Sequence, residues 1–286
     1  MNKSIYQTRT RLSDEVLKGL IYLAAALSII ILVGIMGYVF LRGIPQLNWT
    51  FLSTVQSARK GTFGILGNIV NTIYIIVITL LIAAPVGIGS AIYLNEYAKP
   101  GRLVRIIEFT TEILSGIPSI IFGLFGMVFF GVGLNLGYSV LTGSFTLTLM
   151  VLPLITRNTQ EALKTVPDSY RSGALGIGAT KWYMIRTILL PSAAPGILTG
   201  IILSVGRIVG ESAALLFTAG SGFQLPKSLF GKLFESSGTM TIQLYLCMQK
   251  AKYDQAFGIA VVLLLIVLGI NFLTRYLTGK FDTANK

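Results

Sequence analysis

Apolar residues are gathered along this chain into six long blocks, at residues 20–41, 73–93, 113–136, 139–155, 196–217 and 258–277. Each holds few or no charges, and none shows the strict alternation of a half-buried strand. About 20 such residues, within a range of about 17–25, cross the hydrocarbon core of a bilayer as a helix. A helix suits that setting because it satisfies every backbone N–H and C=O within the segment. The pattern therefore predicts an all-α integral membrane protein with six transmembrane helices, the fourth being the shortest. The first block follows a basic stretch (Lys3, Arg9, Arg11, Lys18). It exceeds the roughly 7–15 apolar residues of a secretory signal, so it reads as an uncleaved span.

Composition narrows the chemistry. Only 12% of the 286 residues are charged, against about 25% in soluble domains. Histidine is absent and Cys247 is the one cysteine. Histidine acid–base catalysis, most zinc and haem sites and an intrachain disulfide are thereby excluded, and neither metal nor cofactor is expected. A net charge of +12 would suit nucleic acid, but its distribution follows the membrane. With the N-terminus inside, fifteen Lys and Arg fall in inner segments, seven in outer ones, and Arg207 lies within a span. Basic residues collect in cytoplasmic loops. Both termini and residues 156–195 are therefore predicted to be cytoplasmic, and no nucleic-acid partner is expected.

Two interruptions carry candidate chemistry. The fifth block contains "SVGRIVGESAAL", with Arg207 and Glu211 four residues apart. On a continuous helix that spacing puts them on one face, able to pair. A charge at the bilayer centre costs about 2.5–3.5 kcal/mol on insertion scales, so the pair points to function. The second interruption is 156–195, longer than the roughly 2–8 residues that join neighbouring helices. There Pro167 ends one short helix, Asp168 or Ser169 caps the next, and Gly176 and Gly178 end that one. Residues 182–190 begin an amphipathic piece before Pro191. Two short helices facing the cytosol make a docking surface. Gly176 and Gly178 are no nucleotide loop, since no strand precedes them and no phosphate-loop motif occurs anywhere. Any ATP hydrolysis belongs to another chain.

Lesser signals are the pairs Gly196/Gly200 and Gly206/Gly210, spaced for close helix approach. The first reads as packing alone, and the second as packing combined with the role of Arg207 and Glu211. Pro85 and Pro118 kink the second and third spans, and Ser115 and Ser119 flank the latter, placed to line a polar path. Residues 220–256 form an outer loop with apolar pieces, read as an interfacial segment.

At this point the residues carry a family resemblance. Gly178, followed after nine residues by Ile188-Leu189-Leu190-Pro191, resembles the signature EAA-x3-G-x9-I-x-L-P of bacterial ABC importer permeases. Ala174 matches it, while Ser172 and Gly173 stand where the signature has Glu and Ala. The flanks, "TVPDSYR", "ALGIGATKWYMIRTILLPSAAPGILTGIILSVGRIVGESAALLFTAG" and "SGIPSIIFGLFG", are similar to permeases of phosphate-specific importers, and "GESAALLFTAG" favours their A-type subunit. The resemblance spans residues 65–278. It implies a type I ABC importer permease fold in the bacterial inner membrane, with a core at 65–278 containing the coupling loop 156–195. An N-terminal part (1–64) comprises the tail, first helix and outer loop, and residues 279–286 form a C-terminal tail.

The implied partners are a sister permease, a cytoplasmic ATPase dimer, an extracytoplasmic phosphate-binding protein and membrane lipid. The chain itself is expected to be non-catalytic. Arg207, Glu211, Ser204, Ser115 and Ser119 are the candidate anion-path residues, Glu211 holding the arginine fork. Ser172, Gly173, Ala174, Gly178, Ile188, Leu190 and Pro191 are the candidate ATPase-coupling residues. A permease for sulfate or molybdate, the C-type sister, and a secondary transporter or channel remain open alternatives.

Overall fold

A computed structural model gives the protein over residues 12–57, 61–99, 101–226 and 228–284. Lys3, Arg9, Arg11, Arg59, Lys60, Lys227 and Lys286, counted above for topology, lie outside the described residues. The first long helix, α1 (Leu12–Gly43), is followed by a 3-10 turn and a short helix, α2 (Trp49–Ser53). Asn48 caps α2, its Oδ1 accepting the Phe51 amide at 2.7 Å. Strands β1 (Val55–Ser57) and β2 (Thr62–Ile65) then form an antiparallel hairpin, a small departure from the all-helical expectation.

The rest is helical. It comprises α3 (Leu66–Ile92), α4 (Arg102–Gly116), α5 (Ser119–Gly126), α6 (Val140–Lys164) and α7 (Asp168–Gly176). These lead on to α8 (Lys181–Met184), α9 (Leu190–Gly210), α10 (Ala213–Thr218), α11 (Met240–Gln249) and α12 (Tyr253–Ala284). Wide π turns extend α3 through Tyr97, extend α5 through Gly133 and join α8 to α9. The last of these precedes Pro191, which has no N–H to offer the Thr187 carbonyl, so the helix widens there instead of closing a regular turn.

Among the described residues, five helical segments are long and apolar enough to cross a membrane, and α4 with α5 makes a sixth if that bent pair counts as one span. The central one is α6. Leu147, Val151 and Ile155 on it are fully buried, with Ile75 and Ala83 of α3 on one side and Ile208 of α9 in the same core. Close approach needs small residues: a β-carbon at Gly196 would lie 2.5 Å from the Ala162 Cβ, and one at Gly200 would lie 2.6 Å from the Asn158 Cβ. That pair packs α9 against α6. The opposite behaviour marks α1, whose membrane-crossing stretch is exposed until its C-terminal end meets α12 at Phe257 and Val261.

Several expected boundaries move. The third block is bent by 104° between α4 and α5, because Pro118 forces Ile117 into an extended conformation (φ −71°, ψ 131°). The fifth begins earlier, at α8, and breaks after Gly210. With α6 running to Lys164 and α8 starting at Lys181, the loop expected over 156–195 shrinks to 165–180 and holds one helix, α7. The C-terminal tail is helical through Ala284.

Residues 220–256, expected as an interfacial outer loop, are not a surface segment throughout. They contain α11, with Met240, Ile242, Gln243 and Cys247 buried, and their backbone is held by α3. Asn68 Nδ2 donates to the Gly238 carbonyl at 2.9 Å, and Asn71 Nδ2 donates to that of Gly222 at 3.0 Å. Thr72 Oγ1 accepts the Met240 amide at 3.0 Å.

Candidate functional site

The first site is the break between α9 and α10. Gly206 and Gly210 weaken helix propensity by about 1 kcal/mol each relative to alanine, and α9 stops at Gly210. Glu211 is extended (φ −80°, ψ 126°). Its carboxylate then serves as a cap: Oε1 accepts the Ala214 amide at 3.0 Å, and its backbone carbonyl accepts the Thr241 hydroxyl at 2.8 Å. The expected Arg207–Glu211 pair is therefore not formed, because the helix that would have aligned the two residues ends between them. Among the described residues Arg207 has no ion-pair partner. It is exposed, on a face shared with Leu203, Gly206 and Gly210, and a β-carbon at either glycine would meet nothing within 4 Å. The packing half of the Gly206/Gly210 reading thus finds no neighbour among the described residues.

The candidate serines separate. Ser204, one helical turn before Arg207, is fully buried, its hydroxyl donating to the Gly200 carbonyl at 2.9 Å. It does not share the open face of Arg207. Ser115 is exposed and donates to the Glu112 carbonyl at 2.7 Å, while Ser119, half-buried, opens α5. The bend they flank adjoins the α9–α10 break, since α5 packs on α10 with Gly123 against Ala214. Ile120, Ser212, Ala213, Leu216 and Tyr245 line a small cavity at that junction. The α4–α5 bend and the α9–α10 break thus meet, and Arg207 lies one helical turn before the second of them. Non-helical backbone at membrane depth persists only where protein buries it or where it lines a polar cavity.

The second site is the turn between α6 and α8. In α7, Ala174 is buried against Val166, Met184, Ile185 and Leu189, and Ile188 and Leu190 pack partly into the same cluster. Ser172, Gly173, Gly178 and Pro191 are exposed. Gly178 holds φ +84°, and the Ala179 amide reaches back to the Ala174 carbonyl at 3.0 Å. This is a left-handed helix stop that a β-carbon disfavours. Helix α7 has Pro167 rather than Asp168 or Ser169 at its N-cap position, and no side chain caps it. Around this frame Tyr170, Leu175, Ile177, Trp182 and Tyr183 are at least half exposed, Ile177 at 87%. Such an exposed apolar cluster on a connecting turn marks an interaction site.

Sequence reasoning missed the residue that fastens this turn. Glu96, in the π turn ending α3, has a side chain 5% exposed, and its Oε1 accepts Arg171 Nη2 at 3.0 Å and Nε at 3.2 Å. The same guanidinium donates to the Val166 and Leu163 carbonyls, both at 2.9 Å. Removing one partner of a buried ion pair costs about 3–5 kcal/mol. Lys181 Nζ donates to the Glu96 carbonyl and lies 4.9 Å from the centroid of the Tyr97 ring. The sole sequence signal was an acidic residue closing an apolar block, 75 residues from its partner.

Comparison with known proteins places this architecture. Residues 83–284 match the family of binding-protein-dependent transport system inner membrane components. The chain is 34% identical over 282 residues to a probable ABC transporter permease protein, YqgI, of Bacillus subtilis, covering 93% of this chain and 95% of the relative. It is 31% identical to the phosphate transport system permease protein PstA of Haemophilus influenzae, covering 96% of each. Among solved structures, a bacterial alginate ABC transporter shares the fold with a TM-score of 0.66 at 19% identity, over 94% of this chain and 99% of that one. The MetNI methionine transporter gives 0.58 at 21% over 76% and 94%. The fold is that of type I ABC importer permeases, which hydrolyse no ATP themselves but work with a separate ATPase, a partner permease and a substrate-binding protein. This chain belongs to the binding-protein-dependent transport system inner membrane components, the multi-pass permease subunits of ABC transporters.

Proposed function

We propose that this chain is the A-type permease subunit of an importer of inorganic phosphate. The observation that carries the reading is Arg207, a guanidinium on the open face of α9, one turn before that helix breaks. That face turns away from the chain's own core, so the anion path runs between this subunit and its sister, which completes the site. A planar guanidinium offers two parallel donors to phosphate oxygens. Glu211, fixed as the α10 cap, limits how tightly the anion is held, since a path must also release its ion. Ser115 and Ser119 line the path at the neighbouring bend. Family membership removes the secondary transporter and channel from consideration.

The supporting relatives include PstA proteins of Haemophilus influenzae and of Pasteurella multocida, the latter 34% identical over 73% of this chain. The C-type reading has its own support in a PstC protein of Mesorhizobium japonicum, 31% identical over 96% of this chain. The "GESAALLFTAG" ending favours the A-type. In this reading residues 65–278 are the permease core, both termini are cytoplasmic, and the 165–180 turn docks one protomer of an ATPase dimer. ATP hydrolysis by the four-component complex in proteoliposomes tests it, with the binding protein loaded in turn with phosphate, sulfate and molybdate. Phosphate is expected to stimulate hydrolysis and enter the vesicles. Stimulation by sulfate or molybdate instead overturns the phosphate assignment.

A further inference from the structure

The turn that carries α7 touches the spanning bundle through few polar contacts, and they converge on one place. Arg171 spends its donors on four acceptors. Two are carbonyls where α6 ends, at Leu163 and Val166; one is Asp168 at 3.0 Å; the last is Glu96. The acceptors differ in environment. The Asp168 side chain is 96% exposed and the Glu96 side chain 5%, so solvent screens the first pair and leaves the second strong. Asn95 Nδ2 adds a donor to the same Glu96 oxygen at 2.7 Å. From the far side of the turn, Lys181 binds the Glu96 carbonyl. Both limbs of the turn, α7 and the start of α8, are therefore fastened to the five-residue π turn Tyr93–Tyr97 closing α3.

We propose that Glu96 is the positioning residue that makes α7 and the inner end of α3 move as one body, so that motion at the docking turn reaches the membrane through α3. The route matters because α8 already continues through the π turn into α9. Without Glu96 the turn would drive α9 directly and α3 only through its packing on α9 and α6. With it, α3 is fastened to the turn itself and is driven together with α9. The π turn supplies the geometry: its wider winding carries Glu96 past the end of the regular helix and under α7. The inference rests on the reading that the turn docks the ATPase, but not on which anion is carried.

The test uses the assembled transporter in a Cys247→Ser background. Spin labels at Val86→Cys on α3 and Ser169→Cys on α7 report the distance between the two helices, without nucleotide and with trapped ADP–vanadate. The unaltered latch should give one narrow distribution in both states. Glu96→Gln should broaden it while the ATPase still co-purifies, and phosphate taken up per ATP hydrolysed should fall about fivefold or more, the size of an ordinary coupling free energy. Asp168→Asn, which removes the charge of the exposed partner of the same guanidinium, should change neither reading. A merely structural role for Glu96 would lower the yield of complex without moving either. An unchanged distribution, or unchanged uptake per ATP, in Glu96→Gln overturns the inference. If the parent complex takes up no phosphate, the substrate reading falls by itself and the distance measurement still decides this one.

Discussion

Arg207 and Glu211 stand four residues apart in sequence but are parted by the end of a helix, and the Glu211 carboxylate caps α10 at 3.0 Å instead of meeting the guanidinium. The two charges therefore have separable roles. Glu211 belongs to the scaffold of the break, whereas Arg207 is free to meet a ligand or the facing subunit. Arg207→Gln should assemble normally and lose phosphate uptake. Normal uptake per assembled complex would show that the guanidinium is not on the path.

Glu211 allows a finer division. Glu211→Gln keeps an oxygen for the Ala214 amide and removes only the charge, so uptake should fall less than in Arg207→Gln. Glu211→Ala also removes the cap, which costs about 0.5–2 kcal/mol for typical helix caps. Thermal unfolding of the purified complex should distinguish them, with Glu211→Ala melting lower and Glu211→Gln near the parent. Equal melting of all three would mean that the cap contributes nothing.

How much of this was legible beforehand follows from what local sequence can encode. The long blocks at 20–41 and 73–93 became α1 and α3 because apolar length alone fixes a span. Gly178 was readable as a helix stop because one residue type serves the left-handed position. The Arg207–Glu211 pair was misread because the spacing rule assumes a continuous helix, and nothing in "GRIVGES" forces the break beyond two weak glycines. The Glu96–Arg171 ion pair was invisible, since its partner is set by tertiary packing and not by any period. The burial of α11 was hidden for the same reason, because the asparagines that hold its loop sit on α3.

Gly178 offers a test of the docking turn. A β-carbon there meets no neighbour, so the effect of substitution is purely conformational. Left-handed backbone costs about 1–2 kcal/mol in a non-glycine residue, and a β-branched side chain suffers most. Gly178→Val should reduce ATPase co-purification or uncouple hydrolysis from uptake, with Gly178→Asn milder. Full coupling in Gly178→Val would exclude the turn as the transmission surface.

Topology is checked at Ile177, which is 87% exposed at the tip of the turn. In a Cys247→Ser background, Ile177→Cys should react with an impermeant maleimide in inside-out vesicles and not in intact cells. Reaction in intact cells would invert the whole arrangement.

The last prediction concerns the contact that holds α9 upright. Gly196 and Gly200 let α9 lie against Ala162 and Asn158 of α6, where added β-carbons would come within 2.5 and 2.6 Å. Gly206 and Gly210, further along the same helix, face open space. The two pairs share a spacing but not an environment, so the same change should have opposite consequences. Gly200→Ala must push the helices apart, and overpacking of this kind costs about 1–3 kcal/mol. Gly206→Ala adds helix propensity without a clash within the chain, which favours it by about 1 kcal/mol. Melting of the purified chain in detergent should therefore fall for Gly200→Ala and hold or rise for Gly206→Ala. If Gly206→Ala nevertheless blocks assembly with the sister permease while the isolated chain stays stable, the open face of α9 is where the second subunit approaches. Arg207 then lies at that seam, as an anion path between two subunits requires.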